Sequence, residues 1–163
     1  EILQLWVNLP SRLKMTEPRY TGLQRDEIPA HDADDGRARI QLISGEWNGE
    51  RGPIESLTHI TMMTIALDAG GRVTLPVAPG RTLFLYVVRG EIRIGETTAP
   101  AMHLAELDDA GDEIAIAAVQ PSLVLFGHGE PYREPVVAHG PFVMNTREEI
   151  VQAIRDYQAG LFG

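Results

Sequence analysis

Between Gly71 and Gly90 the chain reads GRVTLPVAPGRTLFLYVVRG, two β-forming runs joined by a proline-glycine turn and bracketed by glycines. The run over 82–89 is apolar on both alternating faces, as expected of a strand covered on both sides. Similar runs recur on either side, at 40–44, 57–67, 72–75, 92–94, 102–107, 113–119 and 122–126. The connections carry turn residues: Ala69-Gly70-Gly71, Arg89-Gly90-Glu91, Asp108 to Asp112 and Gln120-Pro121. Short strands separated by turns every few residues predict an all-β sandwich or barrel.

The spacing inside 71–90 is more specific. Small barrels of the cupin type carry G-x5-H-x-H-x3-E-x6-G on two adjacent strands, with the histidines and glutamate holding one metal ion. Laid on this sequence, the glycines fall on Gly71 and Gly90 and the ligand slots on Val77, Pro79 and Leu83. The second cupin motif places a histidine three residues after the glycine of a Gly-Asp turn, and Ile114 stands there after Gly111-Asp112. None of the four can donate a lone pair to a metal. The expectation is a cupin-type β-barrel or two-sheet jelly roll closed by hydrocarbon where a cupin enzyme would hold its ion.

Composition narrows the partners. A net charge of -9, with Lys14 the only lysine and the arginines scattered singly, argues against a nucleic-acid surface, which needs clustered cations. There is no cysteine, hence no disulfide or thiolate site, and no apolar run of transmembrane length. A cytoplasmic location is expected, without nucleic-acid or membrane contact. The opening EILQLWVNLP lacks the features of a signal peptide; residues 2–9 read as a strand ended by Pro10. A chain that opens inside a strand without a methionine is expected to be a piece of a longer parent.

Three segments follow. Residues 1–38 form an N-terminal strand and a long connection with little regular structure, in which the His31–Gly36 run HDADDG reads as a solvated turn, since its spacing fails as a calcium loop. Residues 39–127 form the degenerate barrel, with GEWNGERGP as a loop. Residues 128–163 form an extended arm rich in proline and one helix. Thr146 and Glu149 make a capping box at the helix start, Ile150, Ile154, Tyr157 and Leu161 share a face, and Gly160 is the stop.

LQLWVNLP, EPRY, ISGEWNG, the degenerate cupin frame and the closing run GEPYREPVVAHGPFVMNTREEIVQAIRDYQAGLFG closely resemble the second half of pirins. The resemblance covers nearly the whole chain. It implies a two-domain parent of roughly twice this length, whose N-terminal cupin binds iron through three histidines and a glutamate. That site is associated with quercetin 2,3-dioxygenase activity and, in eukaryotes, with transcriptional co-regulation. No residue here matches those ligands, so no catalytic or metal residue carries over. No cofactor is expected in this chain, iron being expected only in the N-terminal half. Trp6, Phe142, Met144, Ile150, Ile154 and Tyr157 are expected to form the interface with that half. Without it, they are expected to drive self-association.

The histidines raise a competing reading. His59 and His103, read as strand residues, would need to meet Glu106 inside the barrel to make a relocated metal site. His128 and His139 sit among glycines and prolines, where bonding a backbone carbonyl is the usual role. Arg133 and Glu134 are expected to tie the arm down. A binding module for a small hydrophobic ligand in the barrel is the other alternative.

Overall fold

The computed structural model describes every residue except Glu1, Asp109 and Gly163, and therefore leaves the expected turn over 108–112 only partly described. The chain divides into two compact units, one over Thr21–Pro131 and one combining Glu1–Tyr20 with Tyr132–Gly163.

In the larger unit the strands run β1 (Ala30–Ala33), β2 (Ala38–Ser44), β3 (Glu46–Trp47), β4 (Glu50–Arg51), β5 (Thr61–Leu67), β6 (Arg72–Pro76), β7 (Thr82–Ile94), β8 (Thr97–Pro100), β9 (Leu104–Glu106) and β10 (Glu113–Gly129). Eight of them form one antiparallel sheet in the order β1-β2-β5-β10-β7-β8, with β6 joined to β10 and β9 to β7; β3 and β4 pair separately as a hairpin. Strict alternation of buried and outward residues along β2, β5 and β6 gives each strand one inner face. Those faces meet in a single cluster that includes Ile40, Leu42, Met63, Ile65, Leu75, Leu85, Ile92, Ile116, Val124 and Phe126. A sheet whose inner faces share one core curls around it, which is the all-β, barrel-like architecture the strand spacing predicts.

Two expected turns are not turns. Arg89-Gly90-Glu91 lies inside the thirteen-residue β7, and Gln120-Pro121 inside the seventeen-residue β10. These strands pair with each other, and the ladder shifts register at Ala118/Gln120, Gln120/Leu123 and Leu123/Val124, so both bend at the same place. Gly90 supplies the bend with φ +84, and a Cβ there would clash with Pro121 and Ser122. The Ser122 hydroxyl staples the corner, accepting from the Glu91 amide at 2.9 Å and bonding the Glu91 and Gln120 carbonyls at 3.0 and 2.7 Å. β10 pairs with β6 before the corner and with β5 past it, so the two long strands carry the sheet around the core. A glycine-proline signal marks a bulge as readily as a reversal, and the missing reversal also hid β8.

Other expectations shift by smaller amounts. The long strand expected from Leu57 begins only at Thr61, since His59 has φ +54 and breaks the extension. The loop GEWNGERGP contains the β3–β4 hairpin, turned by Asn48 and Gly49, both with positive φ. The acidic run is divided between β1 and a short turn in which Asp34 pairs with Arg37 at 2.8 Å.

The smaller unit holds the hairpin β11 (Val137–His139) and β12 (Phe142–Met144) and the helix α1 (Arg147–Gln158). The capping box forms as expected: the Glu149 amide donates to Thr146 Oγ1 at 3.2 Å and the Thr146 amide to Glu149 Oε2 at 2.9 Å. Residues 2–10 form no ladder, contrary to the expected strand; β-forming composition yields a strand only where an edge is free to pair, and no described strand pairs with them. Glu134 ties this segment to the arm, accepting from the Ser11 amide at 2.7 Å, the Ser11 hydroxyl at 3.1 Å and Asn145 Nδ2 at 3.0 Å. The Ser11 amide bond is the main reason its carboxyl is held below the usual range. Among the described residues no helix is long and apolar enough to cross a membrane.

Candidate functional site

The vestigial ligand slots sit where β6 hands over to β7 and where β10 begins. Val77 continues β6, its amide donating to the Asp112 carbonyl at 2.8 Å, which keeps it beside Ile114 on β10. Leu83 is the second residue of β7. All three side chains are buried, and they line one cavity of about 420 Å³ with Leu107, Arg81 and Glu113. Pro79 is exposed and does not line it. Three of the four slots therefore converge as metal ligands would, and they present hydrocarbon. Aliphatic side chains offer no donor to a cation, so the residues at these slots do not fit iron or any other ion.

The histidines are not assembled as a substitute. His59 and His103 both lie outside the strands and are exposed, which corrects their expected placement. His103 Nδ1 lies 3.0 Å from the Ala101 carbonyl oxygen. Among the described residues no three His, Cys, Asp or Glu side chains come together as a metal-binding group. His139 is exposed on the β11–β12 hairpin.

His128 differs from its expected role. It belongs to β10, not to the arm, and its Nδ1 accepts from Arg81 Nε at 2.7 Å instead of donating to a backbone carbonyl. One terminal nitrogen of Arg81 also donates to the His59 carbonyl at 2.7 Å. Burial first, and the Arg81 charge second, push the His128 imidazole down from 6.5 to about 4. The imidazole is then neutral at pH 7, which suits an acceptor for a guanidinium. Arg81 borders both the 420 Å³ cavity and a more polar one of about 610 Å³ lined by Glu46, Arg51, Glu55, His59, Thr61 and His128. The sequence reading missed Arg81, although a lone cation between the slots at Pro79 and Leu83 was its signal.

The expected interface residues lie in the smaller unit. Trp6 is 71% exposed and Tyr157 64% exposed, Phe142, Met144 and Ile154 are partly buried, and Ile150 is buried within the unit. Trp6, Phe142 and Met144 line an apolar groove of about 620 Å³ with Met15, Ala153 and Phe162. Phe142, Tyr157 and Phe162 form an edge-to-face trio with centroids 6.0 to 6.1 Å apart.

Comparison with known proteins agrees with this frame. The model of the pirin C-terminal cupin domain matches residues 62–163. Human pirin is 40% identical, the match covering 96% of this chain and 55% of that protein. The pirin-like protein of Caulobacter vibrioides is 41% identical, over 98% of this chain and 58% of its own. Among solved structures, a quercetin 2,3-dioxygenase from Acinetobacter baumannii superposes with a TM-score of 0.91 at 33% identity, covering 97% of this chain and 55% of that one. The chain spans about half the length of the curated relatives it matches. It belongs to the pirin family, and over residues 62–163 it is that family's C-terminal cupin domain.

Proposed function

We propose that this chain is the non-metal-binding cupin half of a pirin-like protein and serves as structural support for an iron-binding N-terminal half of dioxygenase or co-regulator type. The observation that carries the reading is the convergence of Val77, Leu83 and Ile114 on one cavity with no donor atom among them. A barrel with that mouth contributes shape and surface, and the metal chemistry resides in the other half.

The groove around Trp6, Phe142 and Met144 supports the same reading, because large apolar side chains left in water mark a surface meant to be covered. Covering each is worth about 1.5–3 kcal/mol before the costs of association. In the test, an iron-loaded N-terminal half of the Caulobacter relative is titrated with this chain. The expected result is a one-to-one complex that melts at a higher temperature than the N-terminal half alone. Trp6→Ser combined with Phe142→Ser is expected to weaken it by about tenfold or more. An N-terminal half that neither binds the chain nor gains stability from it would count against the supporting role.

A further inference from the structure

Residues 15–22 are exposed without a break, and Tyr20 at 97% is the most open of them. No helix or strand covers 17–24, and among the described residues none over 17–23 makes a hydrogen bond or ion pair. Pro18 accounts for part of this, since it has no amide to donate and keeps Glu17 out of the helical region. One boundary of the smaller unit falls inside the stretch, between Tyr20 and Thr21, and the other falls between Pro131 and Tyr132. The second boundary is secured close by, where Glu134 is bonded to Ser11 and Asn145. The first has no such tie. Exposed backbone that need break no bonds in order to open is where proteases nick a native chain.

Arg19 stands in the middle of this stretch, and its identity selects the class of protease. A serine protease with a carboxylate in its specificity pocket binds a cationic side chain immediately before the bond it cuts. The neighbouring cations are less available. Arg12 lies in a turn of 3-10 helix (Ser11–Leu13) whose first residue is bound to Glu134, and Lys14 Nζ bonds Asn8 Oδ1 and the Val143 carbonyl. Arg25 opens a second such turn (Arg25–Glu27) and is followed by Asp26 and Glu27, whose charge such a pocket repels. We propose that the Arg19–Tyr20 bond is a site of limited proteolysis by an arginine-specific serine protease. Water adds across the amide, leaving a carboxylate on Arg19 and a new amino terminus on Tyr20. The cut piece stays docked within the smaller unit: Glu134 accepts from the Ser11 amide and hydroxyl at 2.7 and 3.1 Å, and Lys14 donates to the Val143 carbonyl at 2.9 Å. The piece carries Trp6 and Met15, so its departure would strip one wall from the apolar groove. The cut does not depend on the supporting role proposed above.

Trypsin at a low ratio is added to the 163-residue chain in native buffer, and the fragments are followed over time by intact mass. The expected first products are residues 1–19 and 20–163, which elute together on gel filtration and separate in urea. Arg19→Gln, an exposed substitution, is expected to slow the first cut by about tenfold or more, because each remaining site must first open locally. Glu134→Gln is expected to be cut at the same bond and to release the 1–19 piece on gel filtration, since the charged acceptor for Ser11 is gone. A first cut at any other residue, or an Arg19→Gln chain cut as fast as the parent, would overturn the site. A piece lost as readily from the parent chain as from Glu134→Gln would overturn its retention by Glu134.

Discussion

Gly71 and Gly90 are held in place by the backbone, whereas the slots between them are free of that constraint. A Cβ on Gly71 would lie 2.7 Å from the Arg37 carbonyl oxygen, and one on Gly90 would meet the bulge at Ser122 with φ +84. The glycines answer to the backbone around them; Val77, Leu83 and Ile114, all buried, answer to packing. Gly90→Ala should therefore destabilise the chain by about 1–3 kcal/mol in urea denaturation, through strain at the corner shared by β7 and β10. His128 sets a pH dependence of its own. Its imidazole titrates near 4 when folded against 6.5 in the ordinary state, so the unfolded chain binds the extra proton first. This contribution to stability is complete above about pH 7, declines as pH falls below 6.5, and levels off below about 4. His128→Gln keeps an acceptor for Arg81 but cannot titrate. Its melting temperature should fall less than that of the parent chain between pH 7 and 4.5.

Elements with local signals were legible in the sequence, and those set by pairing were not. The capping box at Thr146 and Glu149 needs only four residues, and α1 begins where it predicts. Thr146→Ala should cost about 1 kcal/mol and speed hydrogen exchange at the Glu149 amide, which loses its acceptor. The inner faces of β2, β5 and β6 could likewise be read from alternation. In contrast, β7 and β10 each look like two strands because the bulges that bend them use the same glycine and proline that end a strand elsewhere. Residues 2–10 have the composition of a strand, but a ladder also needs a neighbour. The slot positions were legible because their spacing is rigid. Arg81 and His128 were not, since 47 residues separate them and only the β7–β10 ladder brings them together.

At the scale of the whole molecule, a packed barrel forms one unit and exposed aromatic side chains mark the other. Ile40, Leu42, Ile65, Leu85 and Phe126 fill the barrel core. We propose that the groove of the smaller unit lets the isolated chain pair with itself. Sedimentation should show reversible association that grows with concentration and is suppressed by Trp6→Ser with Phe142→Ser. Central to this picture, the cupin slots at Val77, Leu83 and Ile114 line one cavity and none of the three carries a donor atom for a metal. Anaerobic equilibrium dialysis of the chain against ferrous iron, followed by elemental analysis, addresses it directly. The account predicts no bound iron above the level of a non-binding control protein, and one tightly held equivalent per chain would contradict it.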